Sequence, residues 1–196
     1  ILGVDYRREP PVLELSEEGR AAGRELRARH PPRPGRSIVG LNTGAGGRWR
    51  YKRWTEAGFT ELSRRLLDDG HQVWLLGGPE EVERNARLAA ATGGRALETG
   101  CDNTLREFAG LVDACDAVVT GDTLAMHVAI ARLKPVVVLF GPTSLGEIEV
   151  FARGERVAPD LECLVCYKQD CDFVPNCMES IATDTVHAAL VRQLRP

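Results

Sequence analysis

Ser37-Ile38-Val39-Gly40-Leu41-Asn42-Thr43-Gly44-Ala45-Gly46-Gly47-Arg48-Trp49-Arg50-Tyr51-Lys52-Arg53-Trp54 is the stretch that decides the fold. Ile38-Val39-Gly40-Leu41 is a short apolar run of the kind that makes a strand buried on both faces. A glycine-rich loop follows it. Thr55 to Asp69 then places Phe59, Leu62, Leu66 and Leu67 on one helical face, with Gly70 just past the end. Strand, glycine-rich loop and helix together open a parallel α/β unit.

The alternation continues downstream. Gln72-Val73-Trp74-Leu75-Leu76 reads as a strand, and Gly77-Gly78-Pro79 leads into a helix from Glu80 to about Ala91. A weaker strand lies at Ala96-Leu97-Glu98. Asn103 or Thr104 caps a helix that ends near Cys115. Ala117 to Thr120 is a strand, Thr123 to Ala131 a helix, Val136 to Phe140 a strand, and Thr185 to Leu194 the last helix. Upstream, Ser16 is an N-cap with Glu17 and Glu18 behind it, and His30-Pro31-Pro32-Arg33-Pro34-Gly35 breaks that helix after Arg29. Residues 1–15, with Arg7-Arg8-Glu9-Pro10-Pro11, read as a linker, and 16–196 as one domain. The expected fold is a Rossmann-like parallel sheet with helices on both faces. No internal repeat and no low-complexity segment interrupts it.

Composition bounds the function. A chain of 196 residues suits one α/β domain or at most two small ones. Twenty-five Lys+Arg against 28 Asp+Glu give a net charge of −3, which argues against a generic nucleic-acid binder. The longest apolar run, Pro135 to Phe140, falls far short of the roughly 20 residues that span a bilayer. The first residues turn polar at once, unlike a signal peptide, and the chain lacks an initiator Met, so it reads as a fragment of something longer. With no secretion signal a reducing compartment is expected, and disulfides are disfavoured. Cys101 and Cys115 stand apart, whereas Cys163, Cys166, Cys171 and Cys177 share a segment at 160–180. That cluster reads as metal-binding or as merely thiol-rich.

In open α/β sheets ligands sit outside the carboxyl ends of the strands. The loops there are Asn42 to Lys52, Gly77 to Glu81, Thr120 to His127 and Gly141 to Ser144. The first offers glycines for close backbone approach to a phosphate, and basic residues for its charge. It is neither the dinucleotide fingerprint, because Trp49 stands where the last glycine belongs, nor a Walker A loop, which needs Gly-Lys-Ser/Thr. An ordinary strand-to-helix loop with a solvated basic face is the alternative. In the second, Pro79, Glu80 and Glu81 suit a helix start, or a carboxylate accepts from a ligand's hydroxyls. In the third, Asp122 is either an N-cap or a ligand group, and His127 either a core histidine or a donor. Phe140-Gly141-Pro142-Thr143-Ser144 closes the same edge, and Gly-Pro there is ordinarily a turn.

In this order, Lys52-Arg53-Trp54, Gly77-Gly78-Pro79-Glu80-Glu81, Asp122-Thr123-Leu124-Ala125-Met126-His127 and Leu139-Phe140-Gly141-Pro142-Thr143 resemble glycosyltransferase family 9, the bacterial heptosyltransferases of the lipopolysaccharide inner core. The resemblance runs from about Ser37 onward. It implies the GT-B arrangement of two Rossmann-like domains, with this chain as the C-terminal, nucleotide-sugar-binding half. Thr43 and Gly44 match the loop near the diphosphate, and Lys52 the lysine that neutralises it. Glu81, with Glu80 as the alternative, matches the carboxylate near the ribose. Asp122, Thr123 and His127 match the Asp-Ser/Thr-Gly-x-x-His signature around the diphosphate and donor sugar, and Thr143 matches a turn near the same cleft. Leu124 replaces that signature's glycine; its N–H can still donate, and its side chain is expected to point away.

The implied reaction is a metal-independent, inverting transfer from an ADP-heptose-like donor to a lipopolysaccharide core acceptor. The general base belongs to an N-terminal acceptor-binding domain, so no residue here is expected to be catalytic. Nucleic acid is not an expected partner. The expected location is the cytoplasm, or peripherally the inner face of the inner membrane. Another GT-B protein, a nucleotide-sugar epimerase-like protein and a non-catalytic nucleotide- or metal-binding module remain alternatives. For the cysteines, Cys163-x-x-Cys166 offers the tight pair of a tetrahedral zinc site, with Cys171 and Cys177 completing four thiolates; free thiols are the other reading.

Overall fold

Six parallel strands make one sheet in a computed structural model that describes residues 9–194. They are β1 (Ile38–Asn42), β2 (Gln72–Leu76), β3 (Leu97–Glu98), β4 (Ala117–Gly121), β5 (Val136–Leu139) and β6 (Gly154–Val157). Their order is β3-β2-β1-β4-β5-β6, and every neighbouring pair is parallel. The chain moves outward one way from β1 to β3, then returns to pair β4 with β1 and moves outward the other way. The direction reverses between β1 and β4, which is where such sheets open a ligand crevice.

The helices are α1 (Glu17–Arg29), α2 (Glu56–Asp68), α3 (Val82–Ala91), α4 (Leu105–Ala114), α5 (Leu124–Ala131) and α6 (Thr183–Gln193). Strand side chains alternate between two cores. Val39, Leu41, Val73, Leu75, Val119, Val137 and Leu139 face α2, α3 and α6. Ile38, Trp74, Leu76, Val118, Val136 and Val138 face α1, α4 and α5. Burial on both sides is why these strands read as continuous apolar runs.

Helix starts follow the sequence signals. Ser16 Oγ accepts from Gly19 N at 3.2 Å, and Thr55 Oγ1 from Gly58 N at 2.9 Å. Thr104, rather than Asn103, caps α4 in a reciprocal box with Glu107. The two bonds from Thr104 hold the Glu107 carboxyl below the usual carboxylate range. α1 lies against α4 backbone to backbone. A methyl on Gly110 would land on the Gly19 carbonyl, and one on Gly23 on the Gly110 carbonyl.

Five expectations change. Gly154-Glu155-Arg156-Val157 is a strand that the sequence reading did not contain; at the sheet edge only Val157 is buried, so the segment carries no apolar run. Gly47–Lys52 is a 3-10 helix, not open loop. α3 begins at Val82, after a separate 3-10 turn at Pro79–Glu81. β5 stops at Leu139, and α6 starts at Thr183. Of the expected linker, residues 1–8 lie outside the described residues. Residues 9–15 carry no helix or strand, but Leu13 and Leu15 pack into the core on the α1 side, and Leu13 O accepts from Arg132 Nη1 at 2.8 Å.

Two outcomes follow from this packing. Gly110→Ala forces α1 off α4 and should lower unfolding stability by roughly 1–3 kcal/mol or more in urea titration. Cys115 is fully buried against Gly40, and burial pushes its thiol up to about 12. At pH 8 it stays protonated and inaccessible, so a maleimide should label Cys163 and Cys166, both exposed, and reach Cys115 only after denaturation. Mass spectrometry of labelled peptides reads this directly.

Candidate functional site

Asn42 ends β1, and its side-chain amide gathers the crevice. Asn42 Nδ2 donates to Gly44 O at 3.2 Å, and to Thr120 Oγ1 and Thr123 Oγ1 at 3.1 Å each. The two hydroxyls are themselves 3.0 Å apart. One buried amide therefore joins the loop after β1 to the loop after β4. Sequence reading missed Asn42 as a site residue, since an Asn after a strand reads as ordinary loop.

A cavity of 460 Å³ opens between these loops, at the carboxyl ends of β1, β2 and β4. Gly44, Gly46, Gly77, Gly78 and Glu81 line it together with Leu105 and Phe108 of α4 and Leu124 and Ala125 of α5. Its lining is thus part backbone and carboxylate, part apolar.

Glu81 rather than Glu80 faces this cavity. Glu81 is only 5% exposed, and its Oε2 accepts from Gly78 N at 3.0 Å. Its Oε1 is buried and has no hydrogen-bond partner among the described residues. A buried carboxylate oxygen without a donor is costly unless a ligand supplies one. Gly44 makes this placement possible: a methyl there would stand 2.6 Å from Glu81 Oε1. Gly77 gives the same clearance to Glu81 Cβ at 2.7 Å.

Thr43 points inward. Its Oγ1 donates to Asn85 Oδ1 at 2.6 Å, and its N–H donates to Leu76 O at 3.2 Å. It fixes the loop and presents no spare donor. Thr123 occupies the N-cap of α5, so Asp122 is not that cap, but the Thr123 hydroxyl bonds Asn42 and Thr120 instead of capping. The first turn of α5 has no acidic side chain and no capping oxygen. Its free N–H groups and positive dipole end adjoin the cavity.

Asp122 instead pairs with Lys52, Nζ to Oδ2 at 2.8 Å, with both side chains about five-sixths sheltered. The Lys52 ammonium also lies 5.1 Å from the Trp49 ring centre. The pair stands beside Thr123 but is not part of the cavity lining. His127 is exposed, which removes the core-histidine reading, and it does not line the cavity. Thr143 is buried, with an Oγ1 lacking a partner among the described residues, and it also stands off the cavity. Leu124 is 52% exposed and is among the residues that line the cavity, while Ala125, Met126, Val128 and Ala129 commit the opposite face of α5 to the core.

The four clustered cysteines, Cys163, Cys166, Cys171 and Cys177, line a second cavity of 370 Å³. All are free thiols. Among the described residues, no three His, Cys, Asp or Glu side chains are already gathered for a metal ion. No helix among the described residues is long and apolar enough to cross a membrane.

Asn42→Ala should cost about 1–3 kcal/mol, since it removes three buried hydrogen bonds and leaves the Gly44 carbonyl without this donor. Hydrogen exchange should show faster opening at Gly44 to Gly46 than at the centre of β1.

The family model described as glycosyltransferase family 9 (heptosyltransferase) matches residues 1–175. Lipopolysaccharide heptosyltransferase 2 of Escherichia coli (strain K12) is 37% identical over 102 residues, which is 47% of this chain and 28% of that protein. Lipopolysaccharide heptosyltransferase 1 of Pseudomonas aeruginosa is 33% identical over 130 residues, 65% of this chain and 36% of that protein. Among solved structures, E. coli ADP-heptose lps heptosyltransferase II is similar with a TM-score of 0.72 and 26% identity, covering 94% of this chain and 53% of that one. The chain thus spans about half the length of that solved relative. A family match over most of its length, on a fold shared with a solved heptosyltransferase, shows that the chain belongs to glycosyltransferase family 9.

Proposed function

We propose that this chain is the donor-binding half of a heptosyltransferase, and that the cavity between β1 and β4 seats the ADP part of a nucleotide sugar. One observation carries the reading: the buried, partnerless Oε1 of Glu81 shares a cavity with the uncapped start of α5. A ribose hydroxyl supplies the donor that Glu81 lacks. A diphosphate accepts from the first-turn N–H groups of α5 and meets Lys52 alongside. Gly44 and Gly46 leave room for the ligand, and Thr43 holds their loop from behind. Asp122, His127 and Thr143 stand further along the same edge, where the donor sugar would extend.

The relatives named for lipopolysaccharide and for ADP-heptose support an ADP-heptose-like donor and a lipopolysaccharide core acceptor. In this reading an acceptor hydroxyl attacks the anomeric carbon with inversion, the bond to the diphosphate oxygen breaks, and ADP leaves. Charge grows on the departing diphosphate. Lys52 and the α5 dipole stabilise it there without the reorganisation that water would need. The proton of the attacking hydroxyl passes to a base on the N-terminal acceptor-binding domain of the GT-B pair. A lipid-borne acceptor places the reaction at the cytoplasmic face of the inner membrane, with this domain at most peripheral.

Calorimetry with ADP tests the site. The chain should bind ADP, and Lys52→Ala should weaken binding by about 1–3 kcal/mol, as for a lost charge-assisted bond. Glu81→Gln should weaken ADP while leaving inorganic pyrophosphate unaffected. Unchanged ADP affinity in Lys52→Ala would remove that lysine from the site. The chain on its own should bind nucleotide yet transfer no sugar; turnover by the purified chain in a sensitive transfer assay would overturn the placement of the base.

A further inference from the structure

α3 buries Asn85, Leu88 and Ala89. Leu88 and Ala89 belong to the core, but Asn85 puts an amide where an apolar side chain would pack, and it is only 1% exposed. A buried amide is costly unless both of its ends are bonded. Both are bonded here. Its Oδ1 accepts from Thr43 Oγ1 at 2.6 Å, and its Nδ2 donates to Cys101 Sγ at 3.6 Å. Gly77 leaves room for the same amide, since a methyl there would stand 3.0 Å from Nδ2. Thr43 follows β1, Gly77 follows β2 and Cys101 follows β3. One side chain thus gathers the carboxyl ends of three neighbouring strands, as Asn42 joins β1 to β4.

What flanks this amide gives it a consequence for the cavity. Thr43 is succeeded by Gly44, which lies so close to the Glu81 carboxylate that a methyl on it would stand 2.6 Å from Oε1. Glu81 is the N-cap of α3, and Asn85 lies one turn further along the same helix. The bond from Thr43 to Asn85 therefore ties the loop after β1 to the helix that follows Glu81, and holds Gly44 against the carboxylate. The Thr43 hydroxyl has one proton to give. The other acceptor in its reach, Leu76 O at 3.4 Å, already takes the Thr43 N–H. Without Asn85 the loop keeps its attachment to β2 but loses its tie to α3.

We infer that Asn85 is a positioning residue for the nucleotide: acting through Thr43 and Gly44, it keeps Glu81 Oε1 in place for a ribose hydroxyl. Asn85 itself does not line the cavity. This role presupposes the cavity as the ADP seat, and it adds where the order of that seat comes from. Asn42 fixes the start of α5, where the diphosphate lies, and Asn85 fixes the surroundings of Glu81, where the ribose lies. Loosening the second still permits every ligand contact, but the cost of ordering the loop and the carboxylate is then met on binding.

Calorimetry on the whole chain, with ADP and with inorganic pyrophosphate, tests the role. Asn85→Leu keeps a side chain of similar size at the core-facing position and removes the bond. It should weaken ADP roughly five- to tenfold and leave pyrophosphate within about twofold. Thr43→Val should give the same loss, and the double variant no more than either alone, because each removes the same bond. Thr43→Ser, which keeps the hydroxyl, should restore wild-type affinity. In Asn85→Leu, hydrogen exchange at Gly44 to Gly46 should quicken while β4 stays unchanged. An equal loss of pyrophosphate affinity would overturn the role, and so would losses that add in the double variant. If Asn85→Leu fails to fold, Thr43→Val against Thr43→Ser decides, and equal ADP affinities overturn the role. Undiminished ADP affinity in a folded Asn85→Leu chain overturns it too, and leaves the ADP seat standing. A wild-type chain that binds no ADP overturns the seat, and the role of Asn85 with it.

Discussion

Everything at the carboxyl edge depends on how the gap between β1 and β4 is spanned. Parallel pairing brings the two strands side by side, and their continuations then leave toward opposite flanks of the sheet. Nothing in the strand ladder closes that gap. The amide of Asn42 does, by donating across it to Thr120 and Thr123 while holding Gly44 on its own side. Because the Thr123 hydroxyl is drawn into this network, it is withdrawn from capping α5. The same bonds that stitch the crevice leave the helix start uncapped, so one arrangement both orders the crevice and keeps first-turn N–H groups of α5 free beside it.

Glycine placement has a similar double effect. Gly44 and Gly77 fold around the Glu81 side chain so closely that a methyl on either would displace it. The carboxylate is thereby held in place with one oxygen satisfied by Gly78 N and the other free. A flexible surface glutamate could accept the same ligand bond, but it would lose rotamer freedom in doing so. Here that ordering is completed on folding.

The sequence made the central strands and their order of helices legible because β1, β2, β4 and β5 are buried on both faces and so appear as unbroken apolar runs. It left β6 hidden, since an edge strand with Glu155 and Arg156 at its centre has no such run. The 3-10 helix at 47–52 was hidden too, because interleaved basic and aromatic residues have no helical period. At the site, Gly44, Glu81, Thr123 and Lys52 were readable as motif residues. Their geometry was not: that Thr43 turns inward to Asn85 depends on a partner 42 residues away, and that Leu124 faces the cavity depends on which side of α5 the core claims. Spacing reports which residues share a loop, whereas only packing decides which way each one turns.

The glycine contact between α1 and α4 has a mechanical side. Carbonyls of each helix rest on glycines of the other, and at those contacts there is no side chain to change rotamer. The two helices form one stiff strut. The first turns of the two helices lie side by side, Gly19 on the Arg106 carbonyl, and the first turn of α4 carries Leu105 and Phe108 to the cavity lining. A shift of the start of α1 would therefore be felt at that lining directly.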